Sequence, residues 1–228
     1  MPPTTRDRII AAADALLREG GRDAVSTRAV SAAAGVQAPA IYRIFGDKQG
    51  LLDAVADHGF ATYLAGKTAL PQSGDPVDDL RAGWDLHVGF GVANPACYAL
   101  IYGEPRPGAD PPAAVAAAEI LAGQVRRIAE AGRLRVSEER AAHLIHAAGC
   151  GLTLTLIALP PQRRDPELSV LAREAVIAAV TTEPGPDRAG GPVAGAIALR
   201  AALPGATVLS PGEKALMTEW LDRFTTER

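Results

Sequence analysis

Apolar residues recur at three- and four-residue spacing along most of the chain, and no segment sustains the alternation of a half-buried strand. That periodicity admits helices and little else. The first run, Ile9, Ile10, Ala13, Leu16 and Leu17, follows a candidate cap at Thr4 or Thr5 and stops at Gly20-Gly21. Ser26 caps a second helix from Thr27, whose packed face is Val30, Ala33 and Ala34 and whose end is Gly35-Val36. A short third helix spans Ala38 to Ile44, with Pro39 in its first turn, where a missing N–H does no harm. Asp47 caps a fourth that continues to about Leu64. Beyond Leu70 the spacing predicts helices over 77–94, 96–102, 113–131, 137–159, 166–182, 193–203 and 210–225, with breaks at 71–76, 103–112 and 184–192.

Composition agrees. Of 228 residues 48% are hydrophobic but only 4% aromatic, so the apolar content is mostly alanine and aliphatic, which favours helix over sheet. The chain is long enough for one medium domain or two small ones. Cys97 and Cys150 make neither a disulfide framework nor a zinc quartet and fit a reducing, cytoplasmic setting. The N-terminal residues run straight into a charged helical pattern, unlike an export signal. The most lipophilic stretch, Ala141 to Leu159, holds two histidines and two glycines and is closed by Pro160-Pro161; it is expected to be a buried helix rather than a membrane span.

Charge is unevenly placed. Residues 1–50 carry seven Lys/Arg against five Asp/Glu, leaving 16 and 21 for the remainder, so a mildly basic head precedes an acidic body. Within the head, two short helices joined by a turn at Gly35 are the sequence form of a helix-turn-helix. The first helix of such a pair braces across the DNA backbone while the second offers its N-terminal residues to base edges. Here those residues are Gln37, Ala38, Pro39 and Ala40. Gln37 can pair with an adenine edge, and Ala38 or Pro39 can touch a thymine methyl. Ser26, Thr27, Arg28, Tyr42, Arg43 and Lys48 are then placed to hold phosphates.

The pattern Ala-Gly-Val-x-x-x-x-Ile-Tyr-x-x-Phe-x-Asp-Lys-x-x-Leu-Leu from Ala34 to Leu52, with Arg8 to Ala13 and Ser26-Thr27-Arg28, resembles the DNA-binding region of the TetR family of repressors. The resemblance covers roughly residues 5–58 and implies an all-α protein. It would have a three-helix helix-turn-helix DNA-binding domain at 1–58 and a larger helical effector-binding and dimerisation domain at 59–228. It matches Tyr42 and Lys48 to phosphate contacts, Gln37 to Ala40 and Arg43 to the recognition helix, and Phe45 to a packed aromatic. Leu17 stands where an aromatic is common. Ala38-Pro39-Ala40 is poor in hydrogen-bonding groups, so base reading would lean on Gln37, Arg43 and DNA shape.

Beyond about Leu64 the resemblance fades. Trp84, His87, Phe90, Tyr98 and Tyr102 supply most of the aromatic surface outside the head, and with His146 they are candidates for an apolar effector pocket, or simply for core. Glu139, His143, His146 and Cys150 fall at helical spacing but form no recognisable metal signature, so the row is read as dimer seam or pocket lining. Ala147, Ala148, Gly149 and Gly151 would admit a close helix, making 137–159 a candidate dimer element, together with a C-terminal helix.

No phosphate-binding Gly-x-x-x-x-Gly-Lys-Ser/Thr loop or Gly-x-Ser-x-Gly nucleophile turn occurs, and Gly89-x-Gly91 lacks a preceding strand. The sequence therefore predicts a homodimeric DNA-binding regulator, a repressor released from a palindromic operator in double-stranded DNA by a small, largely apolar effector. No cofactor, metal or membrane is expected. The alternative is a helical small-molecule-binding or scaffold protein without DNA binding, against which Tyr42, Arg43 and Lys48 argue.

Overall fold

The computed structural model describes residues 2–69, 73–104, 110–182 and 191–226. Parts of the expected breaks at 71–76, 103–112 and 184–192 lie outside them. Among the described residues there are eleven α-helices and no strand, only an isolated antiparallel bridge between Leu134 and Thr181. The helices are α1 (Thr5–Ala24), α2 (Thr27–Ala34), α3 (Ala38–Phe45), α4 (Lys48–Thr68), α5 (Pro76–Ala93), α6 (Pro95–Tyr102), α7 (Pro112–Glu130), α8 (Glu138–Ala158), α9 (Glu167–Val180), α10 (Gly191–Ala202) and α11 (Pro211–Thr226). Their contacts define two compact units. The first comprises Met1–Ala69, Leu86–Ala117 and Thr153–Gln162; the second comprises Leu70–Asp85, Ala118–Leu152 and Arg163–Arg228.

Local chemistry sets the ends of the first four helices. Thr4 and Asp7 form a reciprocal capping box at α1. Helical geometry lapses at Gly20 and Gly21, where the apolar run stops, and a single further turn carries the chain to Ala24. Ser26 Oγ accepts from the Ala29 N–H at 3.1 Å and Asp47 Oδ1 from the Gly50 N–H at 2.7 Å, capping α2 and α4. Gly35 ends α2 with φ 65° and ψ 41°, a left-handed geometry that suits glycine.

These ends fold α1–α4 around Ile9, Ile10, Ala13, Leu17, Val25, Val30, Ile41, Leu51, Leu52 and Val55, all buried. Leu17 fills the position where the resemblance leads one to expect an aromatic. The α3–α4 junction is tight: a Cβ on Gly50 would lie 2.1 Å from the Phe45 carbonyl oxygen. Gly50→Ala is expected to destabilise the first unit by about 1–3 kcal/mol, because the obstacle is backbone rather than a flexible side chain. Thermal melts of the two proteins check this.

The second unit is tied by ion pairs as well as apolar contacts. Arg81 grips Glu174 through three hydrogen bonds of 2.9–3.2 Å and also reaches Asp78, while Arg173 bridges Glu174 and Asp85. Arg133 pairs with Asp75 at 2.5 Å, and its Nε donates to the Thr182 carbonyl. The hydrogen bond from Arg133 holds the Asp75 carboxyl below its ordinary 3.8. A lowered carboxylate stabilises the fold fully above its unfolded value and loses that contribution as pH falls through the folded one. Asp75→Asn should therefore melt lower than the parent at pH 7, with the gap closing as pH drops below about 4.

One expectation about burial is overturned. The lipophilic stretch is the helix α8, but only 33% of its most apolar 18-residue window is buried, with mean hydropathy 1.5. By length and composition alone it could cross a membrane. Its buried residues, Ala141, Ile145, Leu152, Thr153 and Leu156, repeat every three or four positions, so packing claims one side and leaves His143, Leu144, Ala147 and Gly151 exposed.

Candidate nucleic-acid interface and aromatic cluster

The short helix α3 is anchored through Ile41, fully buried, while Ile44 and Phe45 pack partly against the same core. That anchorage turns the other side outward. Gln37, Pro39, Tyr42 and Arg43 are exposed and Ala38 and Ala40 half-buried; Tyr42, at 51%, is one of the few large rings in the chain left facing solvent. Gln37 is the N-cap of α3 but makes no side-chain cap bond, so its amide is not spent on its own helix. Ser26 is occupied by capping α2, beside half-buried Thr27 and exposed Arg28. Lys48 opens α4, exposed, one residue after its cap. Among the described residues Arg28, Arg43 and Lys48 have no acidic partner in ion-pair range, although other arginines of the chain do.

Two contacts missed at the sequence level steady this surface. Arg6 lies over the Phe45 ring, 5.7 Å from its centroid. Arg22 reaches both Glu104 at 2.5 Å and Gln49 at 3.1 Å, and Gln49 donates to Asp53. The partners of Arg22 lie 27 and 82 residues away, so local periodicity carries no sign of them.

The aromatic candidates separate. His87, Phe90, Tyr98 and Tyr102 come together in the first unit, joined by Phe60 and Tyr63 of α4. Phe60–Tyr63, Tyr98–Tyr102 and Tyr63–Phe90 centroids are 4.4, 4.8 and 4.9 Å apart. The His87 imidazole sits between two phenols, Nδ1 at 3.2 Å from Tyr63 Oη and Nε2 at 2.8 Å from Tyr98 Oη. A neutral ring can accept from one hydroxyl and donate to the other. Lys67 stands 5.8 Å above the Tyr63 ring. Cys97 packs in the same layer, and burial pushes its thiol up to about 11, so it is not a nucleophile at neutral pH.

Trp84 and His146 do not join this cluster. Both belong to the second unit, where Trp84 Nε1 donates to Ser169 Oγ at 3.1 Å and His146 lies exposed beside the Cys150 thiol. Trp84 and His87 are three residues apart on α5, but the division between units falls at Asp85 and Leu86. Phe60 and Tyr63 were the missed members; their spacing with Lys67 on one side of α4 was the available signal. Among the described residues no group of three or more His, Cys, Asp or Glu side chains converges as a metal site. Clefts of about 230 and 290 Å³ in the second unit flank Arg200 and Glu138, and charged side chains share their lining with apolar ones.

Residues 9–55 match the family described as bacterial regulatory proteins, tetR family. Residues 9–55 are thus a tetR-type segment. The match runs from within α1 to within α4 and takes in every residue of the candidate DNA surface. Solved structures share the fold beyond the head. A protein of unknown function from Rhodococcus sp. RHA1 superposes with a TM-score of 0.66 at 23% identity, over 79% of this chain and 97% of its own. A protein classed as a tetR family transcription regulator from Shewanella sp. PV-4 gives 0.63 at 20% identity, over 79% and 100%. The fatty acid degradation regulator FadR from Bacillus halodurans gives 0.60 at 16% identity, over 78% and 96%. No curated protein matches the sequence. The matched head carries the helix-turn-helix of that family, which supports a DNA-binding regulator.

Proposed function

We propose that the protein is a cytoplasmic, non-enzymatic homodimer that represses transcription from a palindromic operator and is released by a small, largely apolar effector. The observation that carries the DNA half of this reading is the outward side of α3 and the start of α4. Tyr42, Arg43 and Lys48 are exposed there, Arg43 and Lys48 in no ion pair among the described residues, beside a Gln37 that makes no side-chain cap bond. Bases are read by Gln37 to Ala40 with Arg43, and phosphates are held by Ser26, Thr27, Arg28, Tyr42 and Lys48. The head is assigned to residues 1–58 and effector binding and dimerisation to 59–228.

The exposed side of α8 supports dimerisation. His143, Leu144, Ala147 and Gly151 leave a small, mostly apolar strip on a helix too apolar to stay bare in water. Exposed Leu171, Ala175 and Ala178 make a similar strip on α9. A two-fold contact through these strips gives the paired heads the symmetry that a palindrome requires. The effector site is placed at the Phe60, Tyr63, His87, Phe90, Tyr98 and Tyr102 cluster, where three polar tips stand among apolar ring faces. Because α4 carries Lys48 at its first residue and Phe60 and Tyr63 farther along, a ligand that parts those rings moves the helix that leads from the head. Release requires the ligand to bind the parted state more tightly than the closed one.

Selection from a random double-stranded DNA pool tests the reading. Wild type should enrich a palindrome that the Tyr42→Ala/Lys48→Ala double variant does not. Gln37→Ala should still enrich it with one base per half-site relaxed by about 1–3 kcal/mol. A folded wild-type dimer that enriches nothing at any salt concentration overturns the proposal.

A further inference from the structure

The C-terminal helix α11 has two apolar sides and uses only one. Leu221 and Met217 pack with Ala196, Leu203 and Leu209 in a small core against α10. Leu216, Trp220 and Phe224 form a second row at four-residue spacing and are 46%, 54% and 60% exposed. With two large aromatics in it, the row presents on the order of 300 Å² of apolar surface, the size at which a patch marks an interaction site. Glu219 and Arg223 line one flank of the row, paired with each other at 2.5 Å and 58% and 71% exposed.

We propose that this row meets the same row of a second copy of the chain, the two α11 helices lying antiparallel about a two-fold axis close to Trp220. The charge pattern selects both partner and direction. In the antiparallel arrangement two-fold symmetry places the same flank of each helix side by side and sets Glu219 of one copy against Arg223 of the other, twice. A parallel two-fold pair brings opposite flanks together and would give Glu219 no Arg223 of the other copy to meet. Burying both rows removes on the order of 600 Å² in total, about half of what a stable interface needs, so the row is one strip of a larger isologous contact. It rests on the homodimeric reading above and adds to the α8 and α9 strips. The solved structures compared above are matched over 96–100% of their own length while about a fifth of this chain remains unmatched, a length comparable to the α10–α11 hairpin.

Sedimentation equilibrium without DNA tests the inference. Leu216→Glu/Trp220→Glu should self-associate at least tenfold more weakly than wild type with its helical circular dichroism unchanged, since both side chains are exposed. Glu219→Arg leaves two positive charges on the flank and Arg223→Glu two negative ones. Each should associate more weakly than wild type, and an equimolar mixture should associate at least tenfold more tightly than either alone. The intrahelical pair is lost equally in both variants, so only a contact between copies produces that recovery. Wild type sedimenting as a monomer overturns this inference together with the dimeric reading. Wild type dimeric, with the double variant equally dimeric or the mixture no tighter than its components, overturns this inference alone.

Discussion

Removing the Tyr42 hydroxyl and the Lys48 ammonium together is expected to lower affinity for DNA by about 2–3 kcal/mol, roughly thirty- to hundredfold. Lys48 stands at the first residue of α4, exposed, with its approach fixed by the Asp47–Gly50 cap bond. Tyr42 is held outward because Ile41, its neighbour on α3, is fully buried. Both side chains are exposed, so the loss should appear in binding far more than in melting temperature. Lys48→Ala alone should weaken binding to all sequences alike and reduce the slope of log K against log salt by about one unit, because one fewer phosphate is neutralised. Fluorescence anisotropy over a salt series measures both quantities. An unchanged slope would remove Lys48 from the phosphate contacts.

Tyr98→Ala should cost about 3–5 kcal/mol, the range for deleting a fully buried ring. The residue is 0% exposed, its ring packs at a tilt against Tyr102 with centroids 4.8 Å apart, and its hydroxyl lies 2.8 Å from His87 Nε2 in a hydrogen bond. Its place depends on a glycine: a Cβ on Gly91 would fall 2.7 Å from the Tyr98 ring and 2.2 Å from Thr153 Cγ2. Gly91→Ala is accordingly expected to destabilise by about 1–3 kcal/mol through overpacking. Tyr98→Phe keeps the ring and loses one hydrogen bond, costing about 1 kcal/mol. Denaturant titrations of the three variants give the order directly. If Tyr98→Ala costs no more than Tyr98→Phe, the ring is not a supporting element of the cluster. The comparison also separates roles, since a change in ligand release by Tyr98→Phe at nearly unchanged stability would assign the hydroxyl to the effector.

The head was legible in the sequence because its determinants are local. Ser26, Gly35, Asp47 and the spacing of Ile9, Ile10, Ala13 and Leu17 act within a few residues of themselves, through caps, a left-handed turn and helical periodicity. The exposed chemistry of α3 follows once Ile41 is recognised as its buried anchor. What periodicity leaves open is which neighbour covers each side of a helix. Trp84 and His87 are three residues apart on α5 and are drawn into different compact units, and Phe60 and Tyr63 join the aromatic cluster from α4, outside the residues expected to line a pocket. Arg22 finds Glu104 across 82 residues, and α8, apolar enough to suggest complete burial, keeps a bare side.

The sequence by itself determined the helices, most of their ends and the side of α3 that is left exposed, since backbone dihedrals and capping bonds are set by residues a turn or less apart. Only the tertiary structure decided the membership of the aromatic cluster and the apolar sides left without cover on α8 and α11. Those depend on packing between helices far apart in the chain, where many partners of similar apolar character satisfy the same local pattern.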